Sequence, residues 1–133
     1  MSLTTDELAQ QLAKESCVPC RSGGPSLTRQ AAMDLLPAAP GFALDDDARA
    51  LQRRFTFPSF KRAIAFVNRM ADLAESEGHH PDFSVHYQKI DVVLTTHDVG
   101  GLSRNDFIVA AKLDTLYKVL EGPVQNDEAP KPE

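Results

Sequence analysis

No stretch of this sequence approaches the roughly eighteen consecutive apolar residues that a membrane-crossing helix needs. The opening residues MSLTTDELAQQLAKES also lack the apolar centre of a signal peptide, so a cytoplasmic location is expected. Basic charge is scarce. Lys and Arg number 14 against 19 Asp and Glu, a net charge of −5. That balance argues against a nucleic-acid backbone or an anionic membrane as the main partner. Arg53, Arg54, Lys61 and Arg62 lie close in sequence and read as a solvated face. Cysteine occurs only twice, as Cys17-Val-Pro-Cys20. In a reducing compartment one such pair is free thiol, metal ligand or redox pair before it is a structural staple. Tryptophan is missing, and with it every indole N–H donor. There is no Gly-x-Gly-x-x-Gly, no phosphate loop and no internal repeat.

What is present suits one small domain with tails. The length is 133 residues and 42% are hydrophobic, enough for a modest core. Thr4-Thr5-Asp6-Glu7 is helix-start chemistry, and Leu8 and Leu12 share a face, so a short helix is predicted over about 5–15. It breaks into a Gly/Pro loop from Cys17 to Pro25. Thr28 caps a second short helix that Pro37 stops. Phe42-Ala-Leu44 and residues 50–57 read as strands of a hairpin, with a turn at Asp45-Asp-Asp47. In the second strand Leu51, Arg53, Phe55 and Phe57 alternate with Gln52, Arg54 and Thr56.

Pro58-Ser59 opens the strongest helix. Phe60, Ala63, Ile64, Val67, Met70, Ala71 and Ala74 form one apolar face, and Gly78 stops it. Residues 83–87 and 90–97 alternate again, with a turn at Gln88-Lys89. On the last strand Ile90, Val92 and Leu94 face one way, while Asp91, Val93, Thr95 and His97 face the other. Ser103, with Asp106 three residues on, caps a final helix ending near Leu120 before Gly122-Pro123. The expected fold is α+β, a four-stranded antiparallel sheet with helices packed on one face. The expected organisation is an extension at 1–25, a domain at 26–122 and a disordered tail at 123–133.

All four histidines lie between residues 79 and 97; three of them, His79, His80 and His97, stand at the ends of the helix and of the last strand-like run, and His86 falls on the strand between. Imidazole titrates near neutral pH, so it gives or takes a proton at little cost. Rings on both sides of a small planar substrate suit moving one proton on and another off. The plain alternative is that histidines near a turn are solvated or cap a helix C-terminus. Cys17, Cys20, His79 and His80 could make a tetrahedral zinc site. Adjacent histidines diverge, though, and one Cys-x-x-Cys is half a site, so no metal is expected. A redox pair is disfavoured because the motif follows a helix rather than opening one. Glu75, four residues before His79, could orient or charge-balance an imidazole, with a plain solvated Glu as the equal alternative. Asp82 and Asp98 flank the histidines and could bind polar N–H groups of a ligand, while Asp106 most simply caps its helix.

Taken together, Glu75, His79-His80-Pro81, Phe83, Tyr87, Thr96-His97, Gly101-Leu102-Ser103 and Asp106 resemble the pterin-4a-carbinolamine dehydratases (4a-hydroxytetrahydrobiopterin dehydratases). Phe55-x-Phe57-x-x-Phe60 and Ala65-Phe-Val-Asn-Arg69 are also similar, and the likeness covers about residues 26–120. The resemblance implies dehydration of 4a-hydroxytetrahydropterin to quinonoid dihydropterin, regenerating the cofactor after aromatic amino-acid hydroxylation. It implies no metal or organic cofactor, and a homodimer or homotetramer. His79, His80 and His97 match the family's histidines; from the chemistry of the step, His80 is expected as a principal acid–base residue, with His79 and His97 assisting and positioning. Pro81, Thr96 and Asp98 sit where its substrate-lining segments fall, and Glu75 and Asp82, beside the histidines, are expected to bind substrate with them. Phe83 and Phe42 stand where many members have Trp, which keeps an aromatic face without the indole donor. The family also contains dimerisation cofactors of transcription factors, so a non-catalytic interaction module on the same fold is the alternative. A role in molybdenum-cofactor metabolism is left open too.

Overall fold

The structure, a computed structural model, describes residues 4–17 and 26–127. Helix α1 spans Thr5–Lys14. Thr4 and Glu7 cap it reciprocally: Glu7 N–H donates to Thr4 Oγ1 and Thr4 N–H to Glu7 Oε1. Helix α2 spans Arg29–Leu35, with Thr28 Oγ1 accepting from Ala31 N–H, and a 3₁₀ turn at Leu36–Ala38 follows.

Strand β1 is Ala43–Leu44, β2 is Leu51–Thr56, β3 is Asp82–His86 and β4 is Lys89–Leu94. They form one antiparallel sheet in the order β1-β2-β4-β3, so the second hairpin docks through β4 onto β2. Period-two patterning decides which face is covered. Leu51 and Phe55 of β2 and Ile90, Val92 and Leu94 of β4 are fully buried, while Gln52, Arg54 and Thr56 are exposed. The fold is therefore α+β, as the alternation predicts.

Arg53 shares the inward side of β2 and needs a partner there. Its guanidinium donates to Asp114 Oδ1 at 3.0 Å and lies 4.2 Å from the centroid of the Phe55 ring. Helix α3 spans Phe60–Glu77, capped by Ser59 Oγ and closed by Gly78 in the left-handed conformation (φ 68°). Ala63, Phe66, Met70 and Ala74 are its buried stripe, at the three- and four-residue steps of a helix face. Phe55, Phe57, Phe66 and Tyr117 pack into one aromatic cluster, and the Tyr117 hydroxyl donates to Thr56 O.

Helix α4 spans Arg104–Asp127 and packs against α3 and α1. Leu12 of α1 is fully buried, worth about 2 kcal/mol for a leucine side chain. The rest of the predicted tail lies outside the described residues. No helix among the described residues is long and apolar enough to cross a membrane.

Four details differ from the pattern-based expectation. On α3, Phe60 and Ala71 are exposed, and Phe66 joins the buried stripe instead. The hairpin reverses at Tyr87–Gln88 rather than Gln88–Lys89. Tyr87 takes the left-handed conformation (φ 57°), and Gln88 O accepts from Phe57 N–H, tying the turn to the end of β2. His97 does not end a strand. β4 stops at Leu94, Thr96 and Gly101 exchange backbone hydrogen bonds, and His97–Val99 form a 3₁₀ turn closed by Gly100 (φ 70°). Finally, α4 runs through Gly122-Pro123 instead of ending near Leu120. Proline removes one helical hydrogen bond and crowds the carbonyl four residues back, a local cost that does not by itself unwind the backbone.

Candidate active site

The site forms where α3 ends, β4 ends and α4 begins. Gly78 makes the first of these ends. Both Gly78 N–H and His79 N–H donate to Ala74 O, so the chain reverses directly after the helix. That reversal separates the paired histidines. His79 turns inward, and its Nε2 lies 2.6 Å from Oδ1 of Asp106 on α4. His80 stays outside, with Nε2 2.6 Å from Oε2 of Glu75. Helical spacing pointed Glu75 at His79; the left-handed Gly78 ends that spacing and delivers Glu75 to His80 instead.

Asp106 is fully buried and fully engaged. Its Oδ2 accepts from Ser103 N–H at 2.9 Å and from Thr96 Oγ1 at 2.7 Å. It caps α4 as expected, but it also holds an imidazole from 27 residues away. A carboxylate only accepts, so Nε2 of His79 carries a proton in this contact. Thr96 is buried, and its hydroxyl is spent on Asp106 and Ser103.

His97 comes from the 3₁₀ turn and is exposed, with Asp98 beside it. His79, His80 and His97 line one cavity of about 410 Å³, together with Thr96 and Asp98. Three imidazoles, two from the turn after α3 and one from the turn after β4, thus line a common space. Glu75 reaches this space only through His80. Pro81 and Asp82 are not in the lining; Asp82 opens β3 and is exposed.

Cys17, Glu77 and Asn105 also line the cavity and carry no sequence signal for doing so. Cys17 N–H donates to Glu77 Oε1 at 2.8 Å, and its Sγ reaches Asn105 O at 3.7 Å. Burial, and then the Glu77 carboxylate, push the Cys17 thiol up to about 12. Cys20 lies outside the described residues, so the redox-pair and zinc readings of Cys17-Val-Pro-Cys20 do too. Among the described residues no group of three or more His, Cys, Asp and Glu side chains is arranged to hold a metal ion. Phe42 is buried edge-on to Phe55, whereas Phe83 is about half exposed on β3.

A sequence model of the family described as Pterin 4 alpha carbinolamine dehydratase matches residues 25–116. Two bacterial relatives bear the name "Putative pterin-4-alpha-carbinolamine dehydratase". The one from Halorhodospira halophila is 46% identical over 105 residues, covering 79% of this chain and 96% of its own. The one from Stenotrophomonas maltophilia is 45% identical over 109 residues, covering 82% and 94%. A crystal structure of a transcriptional coactivator/pterin dehydratase from Brucella melitensis superposes with a TM-score of 0.66 at 32% identity, covering 69% of this chain and 98% of that one.

Proposed function

The chain belongs to the pterin 4 alpha carbinolamine dehydratase family, and we propose that it dehydrates a 4a-hydroxytetrahydropterin by histidine acid–base catalysis. The observation that carries this reading is the common cavity of His79, His80 and His97. Its volume falls in the range of small-molecule sites and suits a bicyclic ring.

In this scheme the C4a–O bond breaks as the departing hydroxyl takes a proton from one imidazole and leaves as water. A second imidazole removes the N5 proton, and the N5 electron pair closes the C4a=N5 double bond of the quinonoid dihydropterin. Imidazoles near neutral pKa serve both steps. His80 is the principal acid–base residue, oriented by Glu75. His79, held by Asp106, and His97, from the facing turn, assist and position. Glu75, Pro81, Asp82, Thr96 and Asp98 belong to the substrate-binding segments; the 2.6 Å contact with His80 supports Glu75, and the cavity lining supports Thr96 and Asp98. The product would be recycled to tetrahydrobiopterin in a cytoplasmic pathway that serves an aromatic amino-acid hydroxylase. The scheme needs neither a metal nor an organic cofactor.

The test is decay of 4a-hydroxytetrahydropterin with and without the protein, then with each histidine changed to Ala. Loss of one positioned acid–base group is expected to cost about 10²–10⁴ in rate, most at His80. Full activity in all three variants would end the proposal.

A second reading has its own observation. Phe83 and Val85 on β3 pair with Val92 and Ile90, so they share the apolar side of the sheet, yet both remain exposed at an edge strand. This supports assembly into a homodimer or homotetramer, and a non-catalytic dimerisation module would use the same surface. Oligomerisation together with an inert site would favour the module.

A further inference from the structure

The family-matched segment begins at residue 25, yet Cys17 is part of the cavity wall. The segment from Thr5 to Cys17 is held there by several contacts. Leu12 is buried, Arg104 forks onto both carboxylate oxygens of Glu15 at 2.8 and 2.7 Å, and Lys112 Nζ donates to Ala13 O at 2.7 Å. The contact at the cavity itself is Glu77. Its Oε1 accepts from Cys17 N–H, and its Oε2 faces Lys112 Nζ at 3.6 Å, with both side chains largely buried. Glu77 ends α3, one residue before the Gly78 turn that places His79 and His80. One carboxylate therefore joins the N-terminal segment to the imidazoles.

Pterins vary chiefly at C6, which is bonded directly to N5. Histidines working at C4a and N5 bring that substituent against the wall beside them. We propose that Glu77 is a positioning residue that latches the Thr5–Cys17 segment onto the cavity, and that the latched wall decides which C6 substituents the site admits. The specificity half rests on the dehydratase reading; the latch does not.

The test uses the full chain carrying Cys20→Ser, so that Cys17 is the sole thiol. Two quantities are read: the rate at which iodoacetamide alkylates Cys17, and the ratio of kcat/KM for 4a-hydroxytetrahydropterins bearing a 6-methyl or a 6-dihydroxypropyl group. Glu77→Leu is expected to speed alkylation by about tenfold, as one charge-assisted contact is lost. It is also expected to shift the ratio by about tenfold toward the larger substituent, the scale of a pocket difference of a few carbons. Glu77→Gln removes the charge that holds the thiol protonated but keeps an acceptor for Cys17 N–H, so faster alkylation in Glu77→Leu than in Glu77→Gln reports the latch and not the thiol's acidity; Glu77→Met takes the place of the Leu variant if that one does not fold. Alkylation no faster in the apolar variant than in Glu77→Gln would overturn the latch. Faster alkylation with an unchanged ratio would overturn the wall's part in specificity. A parent protein that turns over neither pterin would overturn the dehydratase reading and the specificity claim with it, while the alkylation rates still decide the latch.

Discussion

Nε2 of His79 lies 2.6 Å from Oδ1 of Asp106, a carboxylate with no exposed surface that also accepts from Thr96 and Ser103. One buried anion thus ties the start of α4, the end of β4 and the turn after α3 to a single ring. A partner of this kind sets the tautomer and direction of an imidazole, and removing it leaves the ring in place but misdirected.

Asp106→Asn should therefore lower dehydratase activity by about 10–100-fold, the usual cost of an orienting partner. It should also destabilise the fold by about 1–3 kcal/mol, because buried donors lose part of their acceptor. Steady-state rates and urea midpoints check the two halves separately. Wild-type activity in a folded Asp106→Asn protein would show that the orientation of His79 is irrelevant.

The His80–Glu75 pair should behave differently. Both side chains are exposed, at 59% and 79%. Water screens such a pair, so its worth to stability is about 0–1 kcal/mol. Glu75→Gln is expected to leave the urea midpoint within error and to cost less activity than Asp106→Asn. A larger loss at Glu75 would show that its hold on His80 matters more to the reaction than that of Asp106 on His79.

The Cys17 thiol gives a signature at high pH. Its folded pKa is raised to about 12, first by burial and then by Glu77, above the ordinary thiol value near 8.5. The folded state thus keeps a proton that the unfolded chain releases. That contribution is fully present below the unfolded pKa and is lost as pH rises toward the folded one. Stability should fall between roughly pH 8.5 and 12, and Cys17→Ala should flatten that decline. An equal drop in urea midpoint between pH 7 and 10 in the wild type and in Cys17→Ala would contradict it.

At low pH the Glu15–Arg104 pair acts in the opposite sense. The hydrogen bond from Arg104 holds the Glu15 carboxyl below its ordinary value. Its contribution is present above the unfolded carboxyl pKa and is lost as pH falls through the folded one. The pair is partly exposed, so the loss is small. Amide protection in α1, corrected for the intrinsic exchange rate, should fall below about pH 4, and should do so less in Glu15→Gln.

Local chemistry made much of this molecule readable. Ser59 and Gly78 mark the ends of α3, because a hydroxyl cap and a left-handed glycine each satisfy orphan backbone groups. Alternation in β2 and β4 reports which side is buried, because strand side chains alternate by geometry. The convergence of His79, His80 and His97 could be anticipated from their clustering. The pairing of Glu75 could not, because one positive φ at Gly78 redirects the chain and exchanges the histidine it meets.

Residues with two roles were readable in only one of them. Asp106 shows its capping role through Ser103 three residues earlier, but its hold on His79 depends on how α3 crosses α4. Cys17 suggests a pair with Cys20 because they are neighbours in sequence, while its contacts are with Glu77 and Asn105, brought together by the docking of α1 on α4.

The amino-acid order alone determined the elements, the antiparallel α+β arrangement and the cluster of imidazoles, since caps, turns and alternation act over a few residues. Only the folded chain decided which carboxylate holds which ring and that the N-terminal segment walls the cavity. Those contacts span 27 and 60 residues of chain, and no local periodicity encodes a distance that only packing closes.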